Sequence, residues 1–98
     1  MFAVTTRYRF RIPPTEETLY RVQTDVLEGV FRQTPGFRAY YGVQVTDREA
    51  LAISLWDNQG AADDALRRAA PHVQRILGGE MSGNPERTMG EVVMELTA

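Results

Sequence analysis

The stretch VTTRYRFRI, from Val4 to Ile12, alternates without a break at a period of two. Val4, Thr6, Tyr8, Phe10 and Ile12 fall on one side, and Thr5, Arg7, Arg9 and Arg11 on the other. A period of two is the signature of a β-strand with one covered face. This strand, from about Phe2 to Ile12, therefore turns an apolar row toward a core and three arginines toward the opposite side of a sheet. Pro13-Pro14 ends it, because proline cannot donate to a ladder and restricts the residue before it.

The period then changes. Thr15 reads as an N-cap with Glu16 and Glu17 in the first turn, where a helix dipole favours negative charge. Leu19, Val22, Val26 and Val30 recur at helical spacing, joined by Leu27 and Phe31, until Thr34-Pro35-Gly36 stops the helix. A second strand is expected over Phe37–Val45, with Phe37, Ala39, Tyr41, Val43 and Val45 toward the core and Arg38, Tyr40 and Gln44 away from it. Asp47-Arg48-Glu49 makes a hairpin connection to a strand over Ala50–Trp56. There Leu51, Ile53 and Leu55 are expected inside, and Ala52, Ser54 and Trp56 outside.

Asp57 or Asn58 caps a second helix carrying Ala61, Ala62, Ala65, Leu66, Ala69 and Ala70. Pro71 is expected to kink or restart it before Val73, Ile76 and Leu77. Residues 78–87, GGEMSGNPER, read as a loop. The last strand, Thr88–Leu96, places Gly90, Val92, Met94 and Leu96 inside, and Met89, Glu91, Val93 and Glu95 outside. The order βαββαβ predicts an α+β, ferredoxin-like fold: a four-stranded antiparallel sheet with two helices on one face, formed by a single domain over residues 1–98.

Composition removes several chemistries. The chain has no cysteine, and all eleven basic residues are arginine, so thiolate catalysis, cysteine-ligated metal and Schiff-base chemistry on a lysine are excluded. One histidine, His72, cannot build a multi-histidine metal site within one chain. A net charge of −2 offers no bulk attraction to nucleic acid or to an acidic membrane. Arg7, Arg9 and Arg11 interrupt any signal-peptide pattern, and no apolar run reaches the length of a membrane span. A soluble cytoplasmic protein is expected, with no nucleic-acid or membrane partner.

The sheet face away from the helices admits three readings. It is a solvated surface with compensating charges, a nucleic-acid platform, or a face buried against a second copy. An RNA-recognition sheet wants stacking aromatics at the centres of its first and third strands, where this chain has arginines and Ala52/Ser54. Arginine and aromatic residues are enriched at protein interfaces. A homodimer interface containing Arg7, Arg9, Arg38, Tyr40, Trp56, Glu91 and Glu95 is therefore the favoured reading. Burying an unpaired guanidinium is prohibitive, so each arginine is expected to meet an acceptor, with Arg7 and Arg9 facing Glu91 and Glu95.

The element order, the segment TPGFRAYYGVQV and the segment LAISLWDNQGAADDAL together resemble the antibiotic biosynthesis monooxygenase superfamily of dimeric α+β barrels. Pro35-Gly36-Phe37 before the second strand and Trp56-Asp57 at the end of the third carry the likeness. The resemblance implies two sheets packed face to face, and in each subunit a cavity between sheet and helices. It also implies a bound aromatic or quinone-like small molecule, and oxygenation of such a molecule without a cofactor. A non-catalytic ligand-binding or assembly module of the same fold is the alternative. Haem degradation is more distant: the first strand lacks the asparagine, and the second helix the tryptophan, of the haem-degrading members. Quinol-type oxygenases draw on an Asn–Trp–Tyr–Arg set, and residues of those types here are Asn58, Trp56, Tyr40, Tyr41 and the arginines.

Within that implied cavity, His72 and Tyr41 are the catalytic candidates, and Tyr8, Tyr41 and His72 the ligand-binding candidates. His72, beside Pro71, suits a proton acceptor at the cavity mouth or an ordinary surface residue. Tyr8 and Tyr41, expected on the helix-facing side, either pack in the core or orient a phenolic or quinone ligand. No metal site is expected: the carboxylates of Asp63 and Asp64, adjacent on a helix, point apart.

Overall fold

A computed structural model describes residues 1–98. Strand β1 (Phe2–Arg9) is followed by a helical segment whose first part, α1 (Glu16–Arg21), passes into a wider π-helical winding over Val22–Phe31. Then come β2 (Phe37–Thr46), β3 (Glu49–Trp56), α2 (Gln59–Leu77) and β4 (Glu86–Glu91). The sheet order is β2-β3-β1-β4, with every neighbouring pair antiparallel. The ferredoxin-like arrangement is thus present, and β1 occupies the centre beside β4, as expected.

Local signals explain the boundaries. Thr15 caps α1 by accepting from the backbone N–H of Thr18, with Glu16 and Glu17 in the first turn. Asn58, one of two expected caps, accepts from the N–H of Ala61 at 2.9 Å. Gly36 adopts φ +92, and a Cβ there would lie 2.9 Å from the Ala61 methyl. Only glycine lets the chain turn this close to α2, where Gly36 O receives the Asp57 N–H at 2.8 Å. The helix runs through Pro71 without restarting, contrary to expectation. The winding after Arg21 also departs from expectation: Arg32 N–H donates five residues back, to Leu27 O. It buries Val26, Val30 and Phe31 while leaving Leu19 exposed.

Two strands present the opposite face from the one anticipated. In β3, Trp56 is completely buried and Ser54 nearly so, whereas Leu51, Ile53 and Leu55 lie on the open side of the sheet. The register settles this: Phe2 pairs with Trp56, Val4 with Ser54, Thr6 with Ala52 and Tyr8 with Ala50, and directly opposed residues share a face. In β2 a register shift between Phe37 and Ala39 reverses the parity. Phe37 and Tyr40 consequently face the helices, while Tyr41 and Val43 are 58% and 42% exposed on the open side.

The last strand is corrected as well. It begins at Glu86, and Arg87, Met89 and Glu91 pair with Thr6, Val4 and Phe2 on the helix-facing side. Glu91 therefore does not face the strand arginines; it lies 3.8 Å from the N-terminal ammonium. Glu95 falls beyond β4 in the exposed C-terminal stretch. The acceptors of Arg7 and Arg9 are Glu49 (3.8 and 3.6 Å) and Glu86 (2.9 Å from Arg9), and Arg38 pairs with Asp57 at 2.6 Å. These pairs are about half exposed, so each contributes under about 1 kcal/mol.

The core is held by Trp56. Its ring meets Phe31 edge-on at 5.1 Å and Phe37 at 5.3 Å between centroids, and its indole N–H donates to Ser54 Oγ at 2.9 Å. Ala62, Ala65 and Ala69 of α2 pack in the same cluster. Trp56→Ala is expected to lose about 3–5 kcal/mol of unfolding free energy, and Ser54→Ala about 1–3 kcal/mol by leaving the indole N–H unpaired. Urea titration followed by circular dichroism measures both, and a tryptophan at a dimer surface would leave the monomer's stability nearly unchanged.

Candidate functional site

Small side chains on one face of a strand leave room beneath the helices. Ala50, Ala52 and Ser54 of β3 form such a floor, opposite Ala69 and Ala70 of α2. The result is a cavity of about 260 Å³ between the sheet and the two helices. The π-helical segment contributes Val22, Val26 and Phe31 to its walls, α2 contributes Leu66, Val73 and Leu77, and Met81 and Pro85 of the connecting loop close one side. π-Helical windings occur often at functional sites, and this one forms part of the cavity roof.

Polar groups are few and grouped. The side chains of Thr6, Tyr8, Tyr40, Ser54, Gln74 and Arg87 line the cavity in an otherwise apolar wall. Burial raises the Tyr8 phenol above its ordinary value, while the Arg87 guanidinium pulls it back. Burial pushes the Tyr40 phenol up to about 12, with Tyr8 adding to the effect. Both phenols are therefore neutral at physiological pH and act as hydrogen-bond donors rather than bases. Arg87 is the one permanent charge in the lining, and no carboxylate or histidine joins it.

The residues singled out from the sequence are now distributed differently. Tyr8 lines the cavity, as expected, and Tyr40, expected on the open face, lies in it too. Tyr41 is on the open face, away from the cavity. His72 does not line the cavity; its Nδ1 accepts from the Arg75 guanidinium at 3.1 and 3.3 Å on the outside of α2, and Arg75 continues to Asp25 at 3.1 Å. Trp56 belongs to the core rather than to an interface. Of the expected interface set, Arg7, Arg9, Arg38, Glu91 and Glu95 are exposed, while Trp56 is buried and Tyr40 lines the cavity. Arg87 was hidden from sequence reading because GGEMSGNPER looks like loop to its end. Its signal was the alternation of Arg87 with Met89, which continues the last strand two residues earlier.

Known structures share this architecture closely. SnoaB, a cofactor-independent oxygenase from Streptomyces nogalater, superposes with a TM-score of 0.76 at 18% identity, over 99% of this chain and 97% of that one. A monooxygenase from the gene ActVA-Orf6 of Streptomyces coelicolor, solved with the ligand nanaomycin D, gives 0.76 at 17% identity, over 99% and 91%. A protein of unknown function from Nitrosomonas europaea gives 0.76 at 15% identity, over 99% and 94%. This chain has the antibiotic biosynthesis monooxygenase fold. No family model matches the sequence, and no curated protein does. Identities this low establish the monooxygenase-type fold and leave activity to be argued from the site.

No group of three or more histidine, cysteine, aspartate or glutamate side chains is placed to hold a metal ion, and no helix is long and apolar enough to cross a membrane. The chemistry of the cavity rests on two phenol donors and one guanidinium. Burial pushes the Tyr40 phenol up to about 12, so between pH 10 and 12 the unfolded state gives up this proton while the native state still holds it. Stability is expected to be flat with respect to this group below pH 10 and to fall as pH climbs toward 12. Absorbance titration of the phenolates should show the highest-pH transition disappear in Tyr40→Phe. A variant spectrum unchanged in that range would contradict the assignment.

Proposed function

We propose that the chain is a homodimeric protein whose cavity binds an aromatic or quinone-like molecule and promotes its oxygenation without a cofactor. The observation that carries this reading is the cavity itself: an apolar slot whose polar groups are two neutral phenols and Arg87. A flat, carbonyl-bearing ring system satisfies all three, with its oxygen accepting from Tyr8 and Tyr40 and any negative charge on it held by Arg87. The oxygenases SnoaB and the ActVA-Orf6 monooxygenase lend support through the common fold.

The site constrains the chemistry. With no carboxylate or histidine in the lining, the cavity offers no base near neutral pH. The substrate must then be both acidic and reduced in its own right, such as a quinol. Arg87 and the phenols favour its anion, and that anion supplies the electrons that reduce oxygen. Stabilising a charge in a site lined mainly by hydrocarbon gives each donor more effect than it has in water.

The dimer reading rests on the open face. Tyr41 and Val43 of β2 and Leu51, Ile53 and Leu55 of β3 gather there, beside the paired charges of Arg7, Arg9, Glu49 and Glu86. An apolar patch rimmed by ion pairs suits a second copy of the same sheet. A second functional reading, ligand binding without turnover, is favoured by the position of His72 outside the cavity.

Oxygen uptake with quinol-type compounds, corrected for autoxidation, separates the two. The oxygenase reading expects uptake that falls at least tenfold in Arg87→Leu, about the 1.4 kcal/mol that one charge-assisted contact supplies. Tight binding with no uptake leaves the non-catalytic reading. Sedimentation should show a dimer at micromolar concentration that Ile53→Glu converts to monomer; a monomeric parent protein refutes the paired sheets.

A further inference from the structure

Four polar side chains are buried in this protein: Thr6, Thr18, Thr34 and Ser54. Three of them are satisfied from within the chain. Thr34 Oγ1 donates to Val30 O at 2.8 Å, Thr18 Oγ1 donates to Glu80 Oε1 at 3.2 Å, and Ser54 Oγ accepts from the Trp56 indole at 2.9 Å. Thr6, only 4% exposed, has a hydroxyl that bonds to no other group of the protein. Nor is its oxygen sealed off: the one fully enclosed side-chain oxygen without a partner is Glu80 Oε2. Thr6 lies on the helix-facing side of β1 and lines the cavity, so its hydroxyl opens on that space.

The register gives this hydroxyl particular neighbours. Gly42, Ala52, Thr6 and Arg87 stand side by side across β2, β3, β1 and β4. The row is a trough, because Gly42 and Ala52 project almost nothing above the sheet; a methyl added at Gly42 would meet only the Tyr40 side chain, at 3.6 and 4.0 Å. Thr6 and Arg87 are directly opposed cross-strand partners, on strands about 5 Å apart. Arg87 is in no ion pair, whereas Arg7, Arg9 and Arg38 each have a carboxylate. An unpaired hydroxyl and an unpaired guanidinium thus stand together at one end of the trough. Buried polar groups ordinarily find partners, and valine has the shape of threonine without the cost of a lone hydroxyl. Val4 fills the neighbouring inward position of the same strand. A threonine in the next one serves something other than packing.

Building on the ligand-binding reading of the cavity, we propose that Thr6 contacts the guest directly and, with Arg87, holds an ionised oxygen conjugated to its ring, a phenolate or an enolate. The hydroxyl donates to that oxygen and the guanidinium supplies the charge. Their contributions differ in kind. A guanidinium on a long stem at the edge strand neutralises charge over a range of positions. A hydroxyl on a β-branched side chain of the central strand is stiff and defines one. Thr6 therefore selects ligands by where on the ring the ionised oxygen lies. The ring runs along the trough over Ala52 toward Gly42, which leaves the phenols of Tyr8 and Tyr40 for a second, neutral oxygen.

Two probes test this on the intact protein: a hydroxynaphthoquinone whose quinone-ring hydroxyl is ionised at neutral pH, and naphthoquinone, which lacks that oxygen. By titration calorimetry the parent protein should bind the anion at least about tenfold more tightly, as expected of a charge-assisted contact in an apolar wall. Thr6→Val should weaken the anion by about fivefold or more and leave naphthoquinone within about twofold. Thr6→Ser, which keeps the hydroxyl, should stay within about twofold of the parent for both probes. Urea titration adds a readout opposite to that of a structural hydroxyl. Thr6→Val should unfold at the same midpoint or a higher one, because it removes an unpaired polar group. An anion affinity unchanged in Thr6→Val, an equal loss for both probes, or a lowered urea midpoint overturns the role of Thr6 and leaves the cavity reading in place. So does a parent protein with no preference for the anion. Failure of both probes to bind overturns the cavity reading, and the role of Thr6 with it.

Discussion

An indole ring gains more from burial than any other side chain of this sheet, and Trp56 commits the whole of β3 to the covered side. Its burial against Phe31 and Phe37, with the N–H satisfied by Ser54, fixes the parity of every residue before it. Because side chains alternate with a period of two, placing Trp56 inside carries Ser54, Ala52 and Ala50 inside as well. It also sends Leu51, Ile53 and Leu55 outward. One aromatic anchor therefore determines both features on which the proposed function rests: a floor of small residues under the helices, and an aliphatic row on the open face.

The same anchor explains where sequence reasoning went astray. Leu51, Ile53 and Leu55 outrank Ala50, Ala52 and Ser54 on any hydropathy scale, so alternation alone points them toward the core. Hydropathy does not register that a single buried indole outweighs three aliphatic contacts when the alternative is an exposed ring. The β2 error has a different source. Parity was read correctly at Phe37, and the register shift before Ala39 then inverted it, exchanging Tyr40 and Tyr41. A bulge consumes one residue and leaves no compositional mark. The element order, the caps at Thr15 and Asn58, the turn at Gly36 and the inward face of β1 were legible because each depends on local chemistry.

The arginines of the first strand were legible in kind but not in partner. Their alternation identifies the outer face, and the expectation that acceptors meet them holds for Arg7, Arg9 and Arg38. Which carboxylates serve is a matter of register across β3 and β4, and the chosen pair, Glu91 and Glu95, lay on the wrong side and beyond the strand. The cavity set was less legible still. Tyr8 came from alternation, but Tyr40 and Arg87 needed the bulge and the true start of β4. His72 drew attention as the sole histidine, yet it serves an Arg75–Asp25 bridge between helices.

A cavity of this size is itself an argument about occupancy. Completely enclosed apolar voids cost about 24 cal/mol per Å³, which for about 260 Å³ would be about 6 kcal/mol. Small domains have only about 5–15 kcal/mol in total. A dry void would consume much of that, so the space is tolerable because it opens past Phe10 and Leu19 and carries polar groups that water or a ligand can meet. The phenols of Tyr8 and Tyr40 are then more than packing: in a filled core they would need protein acceptors, whereas at the wall of an open slot a guest oxygen satisfies them. Binding energy and folding energy are linked here, since a ligand that fills the slot stabilises the native state by mass action. On the proposed ligand-binding reading, the small residues that weaken the core of the free protein are the ones that make room for a guest.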